Sequence, residues 1–195
     1  MMESKAEYKS SIRSKKMIRE AYLELIQEKE IPKITVTDIV RRADINRSTF
    51  YAHYTDIRGV QEELENEIIA KMMDVLSEFR YSTFFKKPAP VLLKISRDLE
   101  EDIEFYRILI LSEASDSFLD KLQHAFVDYM LRDSDIPARV RSSPEWTRRI
   151  WFFAGGMTAM YKQWFAGNVP GTLNDISMEV ADIISKSSER FISTQ

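Results

Sequence analysis

Apolar residues recur along this chain at three- and four-residue spacing, the period of helices that bury one side. Between Ser10 and Lys29 the stripe is Ile18, Ala21, Tyr22, Leu25 and Ile26, after a polar, frayed start over 1–9. Pro32 ends it, and Ile31-Pro32-Lys33-Ile34 reads as a short extended link. Thr35, three residues before Asp38, predicts a capped helix start, with Ile39, Val40 and Ala43 facing inward. Asp44-Ile45 is a tight turn. Asn46 suits the N-cap of a second short helix, Arg47 to His53, anchored by Phe50 and Tyr54. Thr55 or Asp56 opens a long helix to about Arg80, with Val60, Leu64, Ile68, Met72, Val75, Leu76 and Phe79 on one side.

Beyond that, residues 81–88 read as a linker, followed by a helix over 89–112 with room for a kink. Another helix covers 116–132, and 133–144 form the longest loop. Pro144 opens a helix over 145–166, Gly167 to Gly171 make a turn, and a last helix covers 173–192. The chain is therefore expected to be all-α. A head of three helices over 1–58 holds two short helices joined by a tight turn, and a larger helical bundle covers 59–195.

Two short helices packed on a longer one match the geometry of a helix-turn-helix. The outer face of Arg47 to His53 is unusual, because Arg47, Ser48, Thr49, Tyr51 and His53 are all hydrogen-bond donors. Such a face suits the major groove, where donors meet the acceptors of guanine and thymine.

Charge sharpens this picture. The net charge of −3 alone argues against a nucleic-acid partner. Residues 1–58, however, carry twelve Lys/Arg against nine Asp/Glu, a net of +3, which leaves −6 on the rest. A basic head on an acidic body fits a DNA-binding module joined to a different one.

Residues 13–59, with Ile31 to Asp56 at their centre, resemble the N-terminal domain of the TetR family of bacterial transcriptional regulators. The resemblance is carried by Thr35, Ile39 and Ala43 at four-residue spacing and by Ser48-Thr49-Phe50-Tyr51 with His53-Tyr54. It implies that Arg47, Ser48 and Ala52 read bases. Ala52 would offer only an apolar contact, for instance to a thymine methyl. It further implies that Thr37, Thr49, Tyr51 and His53 meet the DNA backbone. Two positions depart from the family. Asp44 stands where a turn glycine is common, and it tolerates a left-handed backbone. Ile57 stands where a phosphate-binding lysine is common, so that contact would pass to Arg58.

The body carries no sharp motif. In the helix over 145–166, Trp146, Ile150, Phe153, Met157, Met160 and Trp164 recur, interrupted by Gly155 and Gly156. Adjacent glycines weaken a helix and usually mark close approach of another. The expected dimer interface is Phe153, Gly155, Gly156, Met160, Trp164, Val180 and Ile184. The expected pocket for a small apolar or aromatic ligand is lined by Phe105, Tyr106, Leu109, Phe126, Met130, Trp151, Met157 and Tyr161, although such residues also suit a filled core. Residues 152–176 resemble a TetR subgroup related to dihydroxyacetone-kinase regulators, which implies a possible protein co-regulator and an activating role.

Other function classes fit poorly. Without cysteine, disulfides, thiolate nucleophiles and Cys-ligated zinc are impossible. The two histidines lie far apart, no phosphate-cradling glycine loop occurs, and the acidic runs read as solvated helix faces. No enzyme, cofactor or metal is expected. No apolar run approaches the roughly 18 residues of a membrane span, so a soluble cytoplasmic protein is expected. The resemblance implies a homodimer that binds double-stranded DNA at a palindromic operator, as a repressor released by a small ligand. The alternative is a helical protein-interaction module or co-activator-type regulator that answers to a protein partner.

Overall fold

The computed structural model describes residues 5–79, 81–112 and 115–192. Among them every regular element is helical. The chain divides into two compact units, Met1–Ile68 and Ile69–Gln195.

In the first unit, α1 (Lys5–Glu28) starts earlier than the apolar stripe requires, so 5–9 are helical. A 3-10 turn, Ile31–Lys33, follows with Pro32 in its first turn. Then come α2 (Val36–Arg42), α3 (Arg47–Tyr51) and the first half of α4 (Ile57–Ser77). Ile18, Tyr22, Leu25, Ile39, Phe50, Tyr54 and Val60 are buried together as expected from their spacing. Burial raises the hydroxyl pKa of Tyr22 and of Tyr54, and the nearby carboxylates of Glu65 and Glu63 push the same way. The sequence placed the domain boundary at 58/59. The compact unit runs to Ile68 within α4, whose Glu63 and Glu67 pair with Lys15 (2.9 Å) and Arg19 of α1.

The second unit holds the rest of α4, then α5 (Tyr81–Lys86), α6 (Ala89–Glu100), α7 (Ile103–Leu111), α8 (Ser115–Arg132), α9 (Ala138–Arg141), α10 (Pro144–Phe165) and α11 (Leu173–Ile192). α11 packs on α5, α6 and α10, and α10 packs also on α7 and α8.

Three expectations are corrected here. The supposed linker 81–88 contains α5, because Phe84 and Phe85 are buried, edge to face at 5.0 Å. Phe85 also meets Trp146 at 5.3 Å, so the segment is core. The helix over 89–112 is two helices, broken at Asp102, whose φ of −142° and ψ of 54° are not helical. Acidic Glu100 and Glu101 disfavour the end of α6, whereas Asp102 and Glu104 favour the start of α7. The loop over 133–144 contains α9, preceded by the buried Ile136.

Between α10 and α11, Gly167 (φ 76°) and Gly171 (φ 107°) adopt the left-handed backbone that glycine favours. Trp164 Nε1 donates to the Gly171 carbonyl at 2.9 Å and holds the turn shut.

Candidate nucleic-acid interface and cavity

The segment α2–α3 is built by short-range polar bonds. Thr35 and Asp38 form a capping box at the start of α2. Thr35 N donates to Asp38 Oδ2 (3.0 Å), and Asp38 N donates to Thr35 Oγ1 (3.2 Å). Lys29 Nζ adds a 2.7 Å bond to Asp38 Oδ1. These contacts, the lysine first, pull the Asp38 pKa down to about 2. Asp44 takes φ of 51° in the turn, the left-handed backbone that its type tolerates. Ile45 N then donates to Val40 O at 3.1 Å and closes α2.

Asn46 caps α3, and its Oδ1 accepts from Thr49 N (2.8 Å), Ser48 Oγ (2.6 Å) and Thr49 Oγ1 (2.9 Å). The two hydroxyl protons are thereby committed, so the free lone pairs of Ser48 and Thr49 are what a ligand would meet. Phe50 shows no exposure and rests on Tyr54 at 5.8 Å between ring centres. With Phe50 inward, Arg47, Ser48, Tyr51 and Ala52 are exposed, Tyr51 at 52%. Arg47 Nη2 donates to Thr37 Oγ1 at 2.6 Å, joining the expected base-reading cation to the expected backbone contact. This bond also leaves the Thr37 hydroxyl proton free to point elsewhere.

His53 is half-buried, and its Nε2 shares a 2.7 Å hydrogen bond with Ser14 Oγ of α1. That bond ties the end of the α2–α3 segment to α1. Arg58 is exposed and pairs with Glu62 at 2.9 Å on its own helix.

The positive charge of the head is largely spent internally. Lys15, Lys16, Arg19, Lys29, Lys33 and Arg42 all pair with carboxylates. Among the described residues, Arg13, Arg41 and Arg47 are exposed and make no ion pair. Arg13 and Arg41 were not among the expected contacts. Arg13 has no acidic residue three or four positions away, a signal that was legible. Arg41 has Asp38 and Asp44 at that spacing and pairs with neither; Lys29 takes Asp38.

In the body, Tyr106, Phe126, Met157 and Tyr161 share the wall of a carbon-lined cavity of about 110 Å³. Phe105, Leu109 and Met130 are buried away from it, and Met130 belongs to the central core. Trp151 is 38% exposed and stands edge-on to His124 at 4.9 Å.

The expected interface residues also divide. Phe153, Val180 and Ile184 are packed within the chain's own core. Met160, Trp164 and Gly155 are half-buried, and Gly156 is exposed with open space where a Cβ would stand. The outward stripe of α10 is instead Phe152 (73% exposed), Gly156 and Ala159, and α11 exposes Met178 and Ile183.

This helical arrangement is shared with solved proteins. A Syntrophomonas wolfei protein assigned to the TetR family of transcriptional regulators matches 90% of this chain and 94% of its own, with TM-score 0.68 and 16% identity. A TetR transcriptional regulator from Streptococcus agalactiae 2603V matches 92% and 97%, with TM-score 0.64 and 21% identity. The fold is that of the TetR regulators. The dihydroxyacetone kinase operon activator DhaS shares it over 89% of this chain and 95% of its own, with TM-score 0.61 and 17% identity. In sequence, the chain is 30% identical over 67 residues to the uncharacterized HTH-type transcriptional regulator YxbF of Bacillus subtilis (strain 168). That match spans 34% of this chain and only 18% of YxbF. No protein-family model matches the chain. Among the described residues, no helix of this TetR-like chain is long and apolar enough to cross a membrane.

Proposed function

We propose that this chain is a TetR-like, DNA-binding transcriptional regulator. The observation that carries the reading is the orientation of α3. Phe50 is fully buried, which turns Arg47, Ser48, Tyr51 and Ala52 outward on a helix-turn-helix shared with regulators. Arg47 would donate to guanine, swinging off Thr37. Ser48, its proton held by Asn46, would accept from an adenine or cytosine amino group. Thr37, Tyr51, Arg13 and Arg41 would meet phosphates, as would Thr49 once its hydroxyl turns away from Asn46, and His53 would hold α3 against α1.

The chain would act as a cytoplasmic homodimer through the outward stripe of Phe152, Gly156, Ala159 and Ile183. Two heads roughly 34–36 Å apart would then read a palindrome. The cavity supplies a site for a signal, which must prefer one of two states to move the equilibrium. α4 belongs to both units, so it is the element through which that preference would reach the head. Release of a repressor is one outcome. The likeness to DhaS, an operon activator, favours a second, in which the DNA-bound chain recruits rather than blocks.

The test is selection of bound genomic fragments followed by a salt titration. Binding should be sequence-selective and weaken steeply with salt. Arg47→Ala should cost about 1–3 kcal/mol and relax the preference at one base position. If this variant binds every fragment like the parent, α3 does not read bases.

A further inference from the structure

The cavity in the body is specific about the chemistry it would accept. Its wall is almost entirely carbon, supplied by α4, α5, α6, α7, α8 and α10. The polar side chains that reach it are already engaged. Tyr161 Oη shares a 2.7 Å hydrogen bond with Ser177 Oγ, which is itself bonded to Ser96 Oγ. Both serines are buried, and this hydroxyl chain joins α10, α11 and α6 into a fixed side of the wall. Burial also raises the Tyr161 pKa, so the phenol stays neutral. The cation at the wall, Lys162, pairs with Asp116 at 2.6 Å and brings no net charge.

One group keeps capacity. Gln123 Nε2 donates to Thr158 Oγ1 at 2.9 Å, and Thr158 Oγ1 bonds back to Ala154 O at 3.0 Å. The amide oxygen of Gln123 accepts nothing among the described residues. It lies beside Gly155, where even an added Cβ would stand 4.0 Å away, in ordinary contact. Met72, Met73 and Met157, side chains that reshape easily, line the same cavity.

We infer that the cavity binds a small, uncharged, mainly apolar molecule that carries one hydrogen-bond donor, received by Gln123. This rests on the reading of the body as the signal-sensing part, and it names the chemistry of the signal. A charged ligand would lose its hydration with no free counter-charge to replace it. A dry cavity of roughly 150 Å³ takes benzene. With about 110 Å³ and yielding methionines, a single ring or a chain of similar bulk fits.

Four matched probes test this on the full chain: toluene, benzyl alcohol, benzoate and benzylammonium. Toluene and benzyl alcohol should each raise Tm by roughly 3 °C or more at ten times Kd. Both should shift the methyl resonances of methionines in ¹³C-methyl-labelled protein. Benzoate and benzylammonium should do neither. Gln123→Leu should weaken benzyl alcohol about fivefold and leave toluene unchanged. Benzoate binding as well as benzyl alcohol would mean that Lys162 leaves Asp116, and the inference would fall. It would fall equally if neither neutral probe bound the parent chain, a result that needs no variant to fold. Selected DNA fragments are assayed on the same preparation. A chain that binds DNA but no neutral probe keeps the regulator reading and loses the ligand class. One that takes the neutral probes but no DNA keeps the ligand class and loses the regulator reading.

Discussion

The head and the body spend their residues differently. The head closes a small core around Ile18, Ile39, Phe50 and Val60, none of them exposed, and fixes its short helices with side-chain caps. Its cations are mostly bound to its own carboxylates, which leaves Arg13, Arg41 and Arg47 to face outward. The body has a larger core but leaves a carbon-walled void beside three methionines. The head thus has one arrangement held by many short bonds, as the proposed reading of DNA by fixed geometry would require. The body has slack, and slack is what a ligand can take up.

The largest expected effect tests that contrast directly. Phe50→Ala removes the residue on which α3 turns, with no neighbour able to fill the space. It should cost about 3–5 kcal/mol and abolish DNA binding. Met157→Ala in the cavity wall loses fewer contacts, since one side is already empty. It should cost clearly less than Phe50→Ala in the same denaturant titration. Equal costs would show that the void is closed in solution and that the contrast is wrong.

Next comes the cap. Asn46→Ala removes the acceptor of three bonds, one from the backbone and two from hydroxyls. It should destabilise the head by about 1 kcal/mol. It should also free the Ser48 and Thr49 protons, so selected fragments should show altered preference at one base position. A stability loss without any change in preference would mean that Ser48 reads nothing.

The same contrast explains what could be read beforehand. The head was legible because its signals are local. Thr35 with Asp38, Asn46 before α3 and the inward Phe50 are all set within three or four residues. The body depends on longer reach. Phe84 and Phe85 were hidden by Lys86, Lys87 and Pro88, which look like a linker until a distant Trp146 covers them. In α10, Trp151, Phe152 and Phe153 are consecutive, so apolar residues fall on every side and periodicity picks no face. Phe153 went inward and Phe152 outward, and only packing on α11 and α8 decides which. The eight expected pocket residues met the same limit. Four reach the cavity, and spacing alone could not separate them from the rest.

Gly156 and Gly171 offer a smaller effect of opposite signs. Gly156 lies inside α10 with open space where a Cβ would stand, so Gly156→Ala should stabilise the isolated chain by about 0.5–1 kcal/mol. Gly171 has φ of 107°, and a Cβ there would meet the Asp175 Cβ at 3.3 Å, so Gly171→Ala should destabilise. Both are read from thermal melts at low concentration. If sedimentation shows that Gly156→Ala also weakens self-association, the glycine is kept for a second copy, as the proposed dimer requires.

The smallest effect concerns two matched caps, one in each region. Asp38 and Asp175 both accept from the N–H and hydroxyl of a threonine three residues earlier. Both pKa values are lowered, but the leading causes differ. For Asp38 it is the bond from Lys29, with Thr35 second. For Asp175 it is the Thr172 backbone N–H. In each case the folded pKa lies below the unfolded one. The stabilising contribution is therefore complete above the usual carboxylate range and is lost as pH falls through the folded value. For Asp38 the window lies between about pH 4 and 2. Asp38→Asn should lower stability at neutral pH, and the gap to the parent should narrow as that window is crossed. Salt separates the two caps. Lys29 and Asp38 are partly exposed, so raising ionic strength should screen their attraction and move the Asp38 pKa upward. Asp175 owes its shift to neutral donors and should stay where it is. Carboxyl NMR titrations at low and high salt read both at once. Parallel movement would mean that Lys29 contributes nothing in solution, and that the head's cap is held, like the body's, by threonine alone.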